Sequence, residues 1–149
     1  MILIVCLDDK NGMAFNRRRQ SQDALARERI LALTGGAPLW MNAYSARQYG
    51  DAPTIRVEED FLQKAGPGEY AFAEFPPLSP IAKAVERIYV IRWNRAYPAD
   101  AKLDIPLKEG LWNLAESEDF PGSSHEKLTL EIYQRLKRPY YLYLPYPWR

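Results

Sequence analysis

The densest run of chemistry-bearing side chains is Asn16-Arg17-Arg18-Arg19-Gln20-Ser21-Gln22-Asp23. Consecutive guanidiniums are planar, permanently charged forks that match phosphate or carboxylate oxygens. The run stands directly before a stretch of good helix formers, and a helix N-terminus adds backbone N–H donors and a positive dipole end. Arg17, Arg18, Arg19, Gln20 and Gln22 are therefore candidate ligands of a small anion. The plainer account is a solvated loop whose arginines pair with acids elsewhere in a nearly neutral chain.

Other chemistry is more narrowly bounded. Ser124-His125 sets a nucleophile beside a base, but sequence neighbours rarely meet in the geometry of a catalytic triad. One histidine and one cysteine in the whole chain exclude the multi-histidine zinc sites of metallo-hydrolases and argue against any closed zinc centre. No phosphate-binding loop or dinucleotide fingerprint occurs, because Gly35-Gly36 ends a helical stretch where such a motif would open one.

Twenty basic residues against nineteen acidic leave a net charge of +1. Such a balance gives no whole-molecule field toward nucleic acid or an anionic membrane. Cys6 has no partner for an intrachain disulfide and lies in an apolar run, as expected of a core residue in a reducing compartment. The run Met1 to Leu7 meets Asp8 and Asp9 too soon for a signal sequence or a span, and cytoplasm is the expected location. With 47% hydrophobic and 26% charged residues over 149 positions, the composition is that of one packed domain.

The elements that must position these residues follow from pattern. Ile2 to Leu7 is apolar throughout and of strand length, which predicts a central buried strand, and Asp8 to Gly12 has turn composition. Asp23 to Leu33 predicts a helix stopped by Gly35-Gly36. Pro38 to Met41 predicts a strand, followed by a helix capped by Asn42 and running through Tyr49. Thr54 to Val57 and Glu58 to Ala65 predict a further strand and helix, then Tyr70 to Phe75 a strand. Ser79 to Glu86 suits a short helix and Ile88 to Trp93 a strand. Trp112 to Glu116 and Leu128 to Arg135 predict an antiparallel pair linked by residues 119–127. Strands alternating with helices, then a terminal hairpin, imply a mostly parallel sheet with an antiparallel edge.

In order and spacing, several segments resemble the C-terminal half of dihydrofolate reductases. They are Val85-Glu86-Arg87-Ile88-Tyr89-Val90-Ile91, Tyr97-Pro98-Ala99-Asp100, Trp112 to Phe120 and Leu130 to Arg135. In the first half, Ile2 to Leu7 with Gly12-Met13 resembles that family's first strand and mobile loop. Leu33 to Met41 and Thr54 to Ala73 resemble later elements. The resemblance implies an α/β three-layer domain over 1–136, its sheet mixed but mostly parallel, with helices on both faces and an antiparallel C-terminal hairpin.

At the functional positions the sequence departs from that family. Ala26 stands where the reductases carry a pterin-binding carboxylate, and a methyl group neither accepts the ring's hydrogen bonds nor raises the basicity of the reacting nitrogen. Ile91 stands where they carry a threonine. Ala73-Glu74-Phe75 replaces the glycine turn that admits the NADPH pyrophosphate, and Glu74 is expected to repel phosphate. In Asn42-Ala43-Tyr44-Ser45, only Ser45 preserves cofactor-binding chemistry.

The expectation is a non-catalytic binder of a small anion, or an interaction protein, on a reductase-like scaffold, with no cofactor. The alternative is a divergent NAD(P)H-dependent reductase using Asp23, one helical turn before Ala26, as its acid. Against that alternative stands Asp23 as a helix cap. Residues 137–149 form an aromatic, proline-rich extension and not a second domain. Tyr140, Tyr141, Tyr143, Tyr146 and Trp148 in it suit packing on the parent domain, as an added edge strand or over the vacated cleft, which is the plainer reading, or a homo-oligomer or a protein partner, whereas their stacking on single-stranded nucleic acid is the weaker fit.

Overall fold

The computed structural model describes residues 1–108 and 110–136; the extension at 137–149 lies outside the described residues. Strand β1 (Ile2–Leu7) is the spine. Leu3, Val5 and Leu7 enter one core with Val90, Phe61 and Ile105, while Ile2, Ile4 and Cys6 enter a second with Ile30, Met41 and Ile91. A strand covered on both faces must be apolar at every position, which is why this one reads as an unbroken run.

Around β1 the main sheet adds β4 (Leu39–Met41), β5 (Ile55–Val57), β6 (Tyr70–Phe72), β7 (Arg87–Arg92), β9 (Trp112–Phe120) and β10 (Leu128–Arg135). Their spatial order is β5-β4-β6-β1-β7-β10-β9. Pairings from β5 to β7 are parallel and those of β10 with β7 and β9 antiparallel. Helix α1 (Ala24–Thr34) covers one face through Ala26, Ile30 and Thr34, a stripe at helical spacing, and ends at Gly35 with φ 56°, the left-handed conformation glycine tolerates best. Helix α3 (Phe61–Lys64) and the 3-10 turn Ser79–Ala84 cover the other face through Phe61, Ile81 and Ala82. The sheet is thus mixed and mostly parallel with an antiparallel edge, as its pattern predicts, and helices cover both faces, as the resemblance implies.

Several boundaries differ from expectation. The helix after Asn42 is α2 (Ala43–Ala46) and gives way to turns before Tyr49; the helix expected from Glu58 begins only at Phe61. Strand β6 stops at Phe72, short of the expected Phe75, because Glu74 is engaged by side chains from other elements. Strand β9 runs on to Phe120, with Asn113 to Asp119 exposed; an exposed edge strand shows little periodicity in its sequence.

A second sheet, β3-β2-β8, was not expected. It comprises β2 (Gly12–Phe15), β3 (Arg18–Arg19) and β8 (Ala101–Lys102). The two residues joining β2 to β3, Asn16 and Arg17, have φ of 52° and 61°, as a tight hairpin turn requires. This hairpin lies across the end of β1 and carries the arginine run.

Candidate functional site

The hairpin is fastened by Asp8, a fully buried carboxylate at the end of β1. Its oxygens accept from the backbone N–H groups of Gly12 at 2.7 Å, Lys10 at 2.8 Å and Tyr97 at 3.2 Å, and from Gln20 Nε2 at 3.0 Å. Burial opposes ionisation, but these donors outweigh it and hold the carboxyl below its ordinary range. A Cβ on Gly12 would sit 2.6 Å from Gln20 Nε2 and 2.8 Å from Asp8 Oδ2. The knot therefore closes only around glycine.

From this anchor the three arginines separate. Arg17 and Arg18 are exposed, while Arg19 turns inward. Arg19 forms a two-pronged ion pair with Glu74, Nε to Oε2 at 2.8 Å and a second donor to Oε1 at 3.1 Å, and stacks on the Tyr44 ring at 4.1 Å. Glu74 Oε1 also accepts from Ser45 Oγ at 2.8 Å and Gln48 Nε2 at 3.1 Å. Both partners are largely withdrawn from solvent, with side-chain exposures of 15% and 8%. Glu74, expected to repel phosphate, is paired with Arg19, and Ser45 is committed to it.

Asp23 is the N-cap of α1, accepting from Leu25 N at 2.9 Å and Ala26 N at 3.1 Å. The same carboxylate accepts from the backbone N–H groups of Ser123, Ser124 and His125 at 2.9 to 3.1 Å. Nδ1 of His125 at 3.0 Å and the hydroxyls of Ser123 at 3.1 Å and Ser124 at 3.2 Å complete the set. Burial again opposes ionisation and is outweighed, with Ser123 N–H and His125 foremost, so Asp23 is held far below the usual carboxylate range.

His125, in the loop between β9 and β10, is correspondingly buried. Its ring stacks on Trp93 at 4.8 Å and its Nε2 faces Tyr97 Oη at 2.9 Å and Ser21 Oγ at 3.3 Å. Sequence reading missed Trp93, Tyr97 and Ser21 as its neighbours. The loops after β7 and β9 and the link between β3 and α1 bring them together, and nothing local signals that meeting.

These contacts fill the cleft beside Ala26. The void bounded by Cys6, Asp23, Ala26, Tyr49, Glu74 and Trp93 measures about 10 Å³, and a neighbouring void against Met13, Arg19 and Gln20 is of the same size. Each has room for about one water. Tyr49 Oη and Gln20 Oε1, one beside each void, are buried without a hydrogen-bond partner, which a single water apiece would satisfy.

Open concavities lie outside the cleft. One of about 310 Å³ is lined by Phe15, Asn16, Arg18, Arg19, Gln20, Tyr97 and Pro98. A larger one of about 590 Å³ lies over Trp93, Asn94, Arg95 and the stretch Ser124 to Lys127. Of the anion-ligand candidates, Arg18, Arg19 and Gln20 share the first; Arg17 stands at the hairpin tip, Gln22 borders the small void, and Ser45 faces Glu74. No cluster of three or more metal-ligating side chains occurs among the described residues, nor any helix long and apolar enough to cross a membrane.

No protein-family model matches the sequence, and no curated protein matches it. Among solved structures, the chain is similar to a dihydrofolate reductase from Enterococcus faecalis complexed with NADP(H) and RAB-propyl. The TM-score is 0.63, with 7% identity, over 90% of this chain and 95% of that one. At that identity the likeness concerns architecture alone, and the chain has the dihydrofolate-reductase-like fold.

Proposed function

We propose that this chain is a binding or interaction protein on a dihydrofolate-reductase-like scaffold, without dihydrofolate reductase activity. The observation that carries the reading is the filled cleft, whose remaining void of about 10 Å³ is far below the roughly 300–1,000 Å³ of a small-molecule site. Glu74 in its wall is held by the pair with Arg19, and stranding one member of a buried pair costs about 3–5 kcal/mol.

The ligand class we propose is a small anion at the 310 Å³ concavity, where Arg18 and Gln20 meet the apolar surfaces of Phe15 and Tyr97. Arg18 is exposed, and Arg17 stands beside it on the hairpin. Neither makes an ion pair among the described residues. A planar anion stacked on Tyr97 and held by a guanidinium fits this lining.

Asp23 as the acid of a divergent reductase is disfavoured by its surroundings. A carboxylate held strongly ionised by so many donors has little tendency to carry or release a proton. Calorimetric titration with NADPH and an assay for dihydrofolate turnover test the reading. Pyrophosphate titrated into labelled protein, followed by amide chemical shifts, should move the signals of Asn16 to Gln20 and leave those of Asn42 to Ser45 in place.

A further inference from the structure

Two hydroxyls converge on one ring nitrogen. Nε2 of His125 lies 2.9 Å from Tyr97 Oη and 3.3 Å from Ser21 Oγ, while Nδ1 on the other side of the ring lies 3.0 Å from Asp23 Oδ2. The Asp23 side chain is 0% exposed and that of His125 2% exposed. A buried carboxylate at Nδ1 fixes the tautomer that bears its proton there, leaving Nε2 as the basic nitrogen that accepts from the hydroxyls. Nucleophile, base and orienting carboxylate within hydrogen-bond reach, in any chain order, are the geometric signature of an activated nucleophile.

We propose that Ser21, His125 and Asp23 form a nucleophilic triad acting on small carboxylic esters. Ser21 is the half-exposed member, in the link between β3 and α1. Its own N–H and that of Gln22 have no hydrogen-bond acceptor among the described residues. They precede α1 in the chain and carry no competing acceptor, so they are available as donors for the oxygen that becomes negative during acyl transfer. The void beside Ser21 is about 10 Å³, enough for a water and too small for an acyl chain. An ester therefore reaches Ser21 from the solvent side.

In the first step Ser21 Oγ bonds to the carbonyl carbon as its proton passes to His125 Nε2. The ester C–O bond then breaks, and the imidazolium returns that proton to the departing alkoxide. In the second step water loses a proton to Nε2 and adds to the acyl-Ser21. The acid leaves as Ser21 Oγ regains the proton. Ester and water go in; acid and alcohol come out. Tyr97 competes with Ser21 for Nε2 in the resting state, and it must rotate or yield as Ser21 engages.

The test is to treat the full chain with a fluorophosphonate probe, locate the adduct by mass spectrometry, and follow p-nitrophenyl acetate hydrolysis. The expected result is labelling at Ser21, abolished in Ser21→Ala, with a His125→Gln variant of native circular dichroism slowed by about 10²-fold or more. Should His125→Gln fail to fold, Ser21→Cys in the otherwise intact chain supplies the second reading. Its thiol should react with iodoacetamide at neutral pH about tenfold faster than free cysteine, because a positioned imidazole raises the thiolate fraction. Absence of label, label on Ser123 or Ser124 in place of Ser21, or a Ser21→Cys thiol no faster than free cysteine would overturn the proposal and leave Asp23–His125 a structural pin.

Discussion

Oδ2 of Asp23 and Nδ1 of His125 lie 3.0 Å apart although 102 residues separate them in the chain. The contact ties the start of α1 to the loop between β9 and β10, and the backbone donors of Ser123, Ser124 and His125 converge on the same carboxylate. Asp23→Ala removes a helix cap and leaves several buried donors unsatisfied, so we expect a loss of about 3 kcal/mol or more. Urea unfolding followed by circular dichroism measures it. A change under about 0.5 kcal/mol, the size of an ordinary surface substitution, would contradict the assigned role.

The same carboxylate sets part of the acid limb of stability. Its folded pKa is depressed, so its contribution is fully present above the unfolded value of about 3.9 and is lost as pH falls through the folded value. Stability should therefore decline below about pH 4. Asp8, Asp104 and Glu86 are depressed as well. In Asp23→Asn the decline should be shallower but not abolished, because those three remain. Melting temperatures across pH 2–5 would show an unchanged slope if Asp23 contributed nothing.

Arg19 and Glu74 should behave as a coupled pair. Either Arg19→Ala or Glu74→Ala strands a largely buried charge at a cost of about 3–5 kcal/mol, while the double variant should lose less than the sum. Arg17→Ala and Arg18→Ala, on exposed positions, should each stay within about 0.5 kcal/mol. A double-mutant cycle with no coupling would remove the pair from the account of the closed cleft.

Gly122 is a steric witness to the Asp23 cradle. A Cβ there would lie 2.6 Å from both Asp23 Oδ2 and the carbonyl oxygen of His125, so the loop must shift and loosen its donors. Gly122→Ala should destabilise, whereas Gly35→Ala, where the added Cβ meets nothing within 4 Å, should cost only the strain of its left-handed backbone, about 1 kcal/mol. Equal melting temperatures for the Gly122→Ala variant and the parent would contradict the cradle.

Much of the scaffold is legible in the sequence because its signals are local. The unbroken apolar run of β1 reflects burial on both faces, and Asn42, Asp23 and Gly35 announce helix ends through capping chemistry that needs only neighbouring backbone. The β2–β3–β8 sheet escapes such reading because two of its strands are two residues long, and because its hairpin turn is held by Asp100, 84 residues from the Asn16 N–H that donates to it. The arginine run is visible in the sequence, but not that Arg19 faces Glu74 while its neighbours face water. That outcome depends on the hairpin turn at Asn16-Arg17 and on a partner 55 residues away. His125 likewise becomes informative only once Asp23, Trp93, Tyr97 and Ser21 surround it.

The central claim, a reductase-like fold whose cleft is closed by its own side chains, is tested most directly by calorimetric titration of the intact protein with NADPH, paired with an assay of dihydrofolate-dependent NADPH oxidation. The account predicts no saturable heat at micromolar cofactor and no oxidation above the protein-free rate. Micromolar binding accompanied by turnover would contradict it.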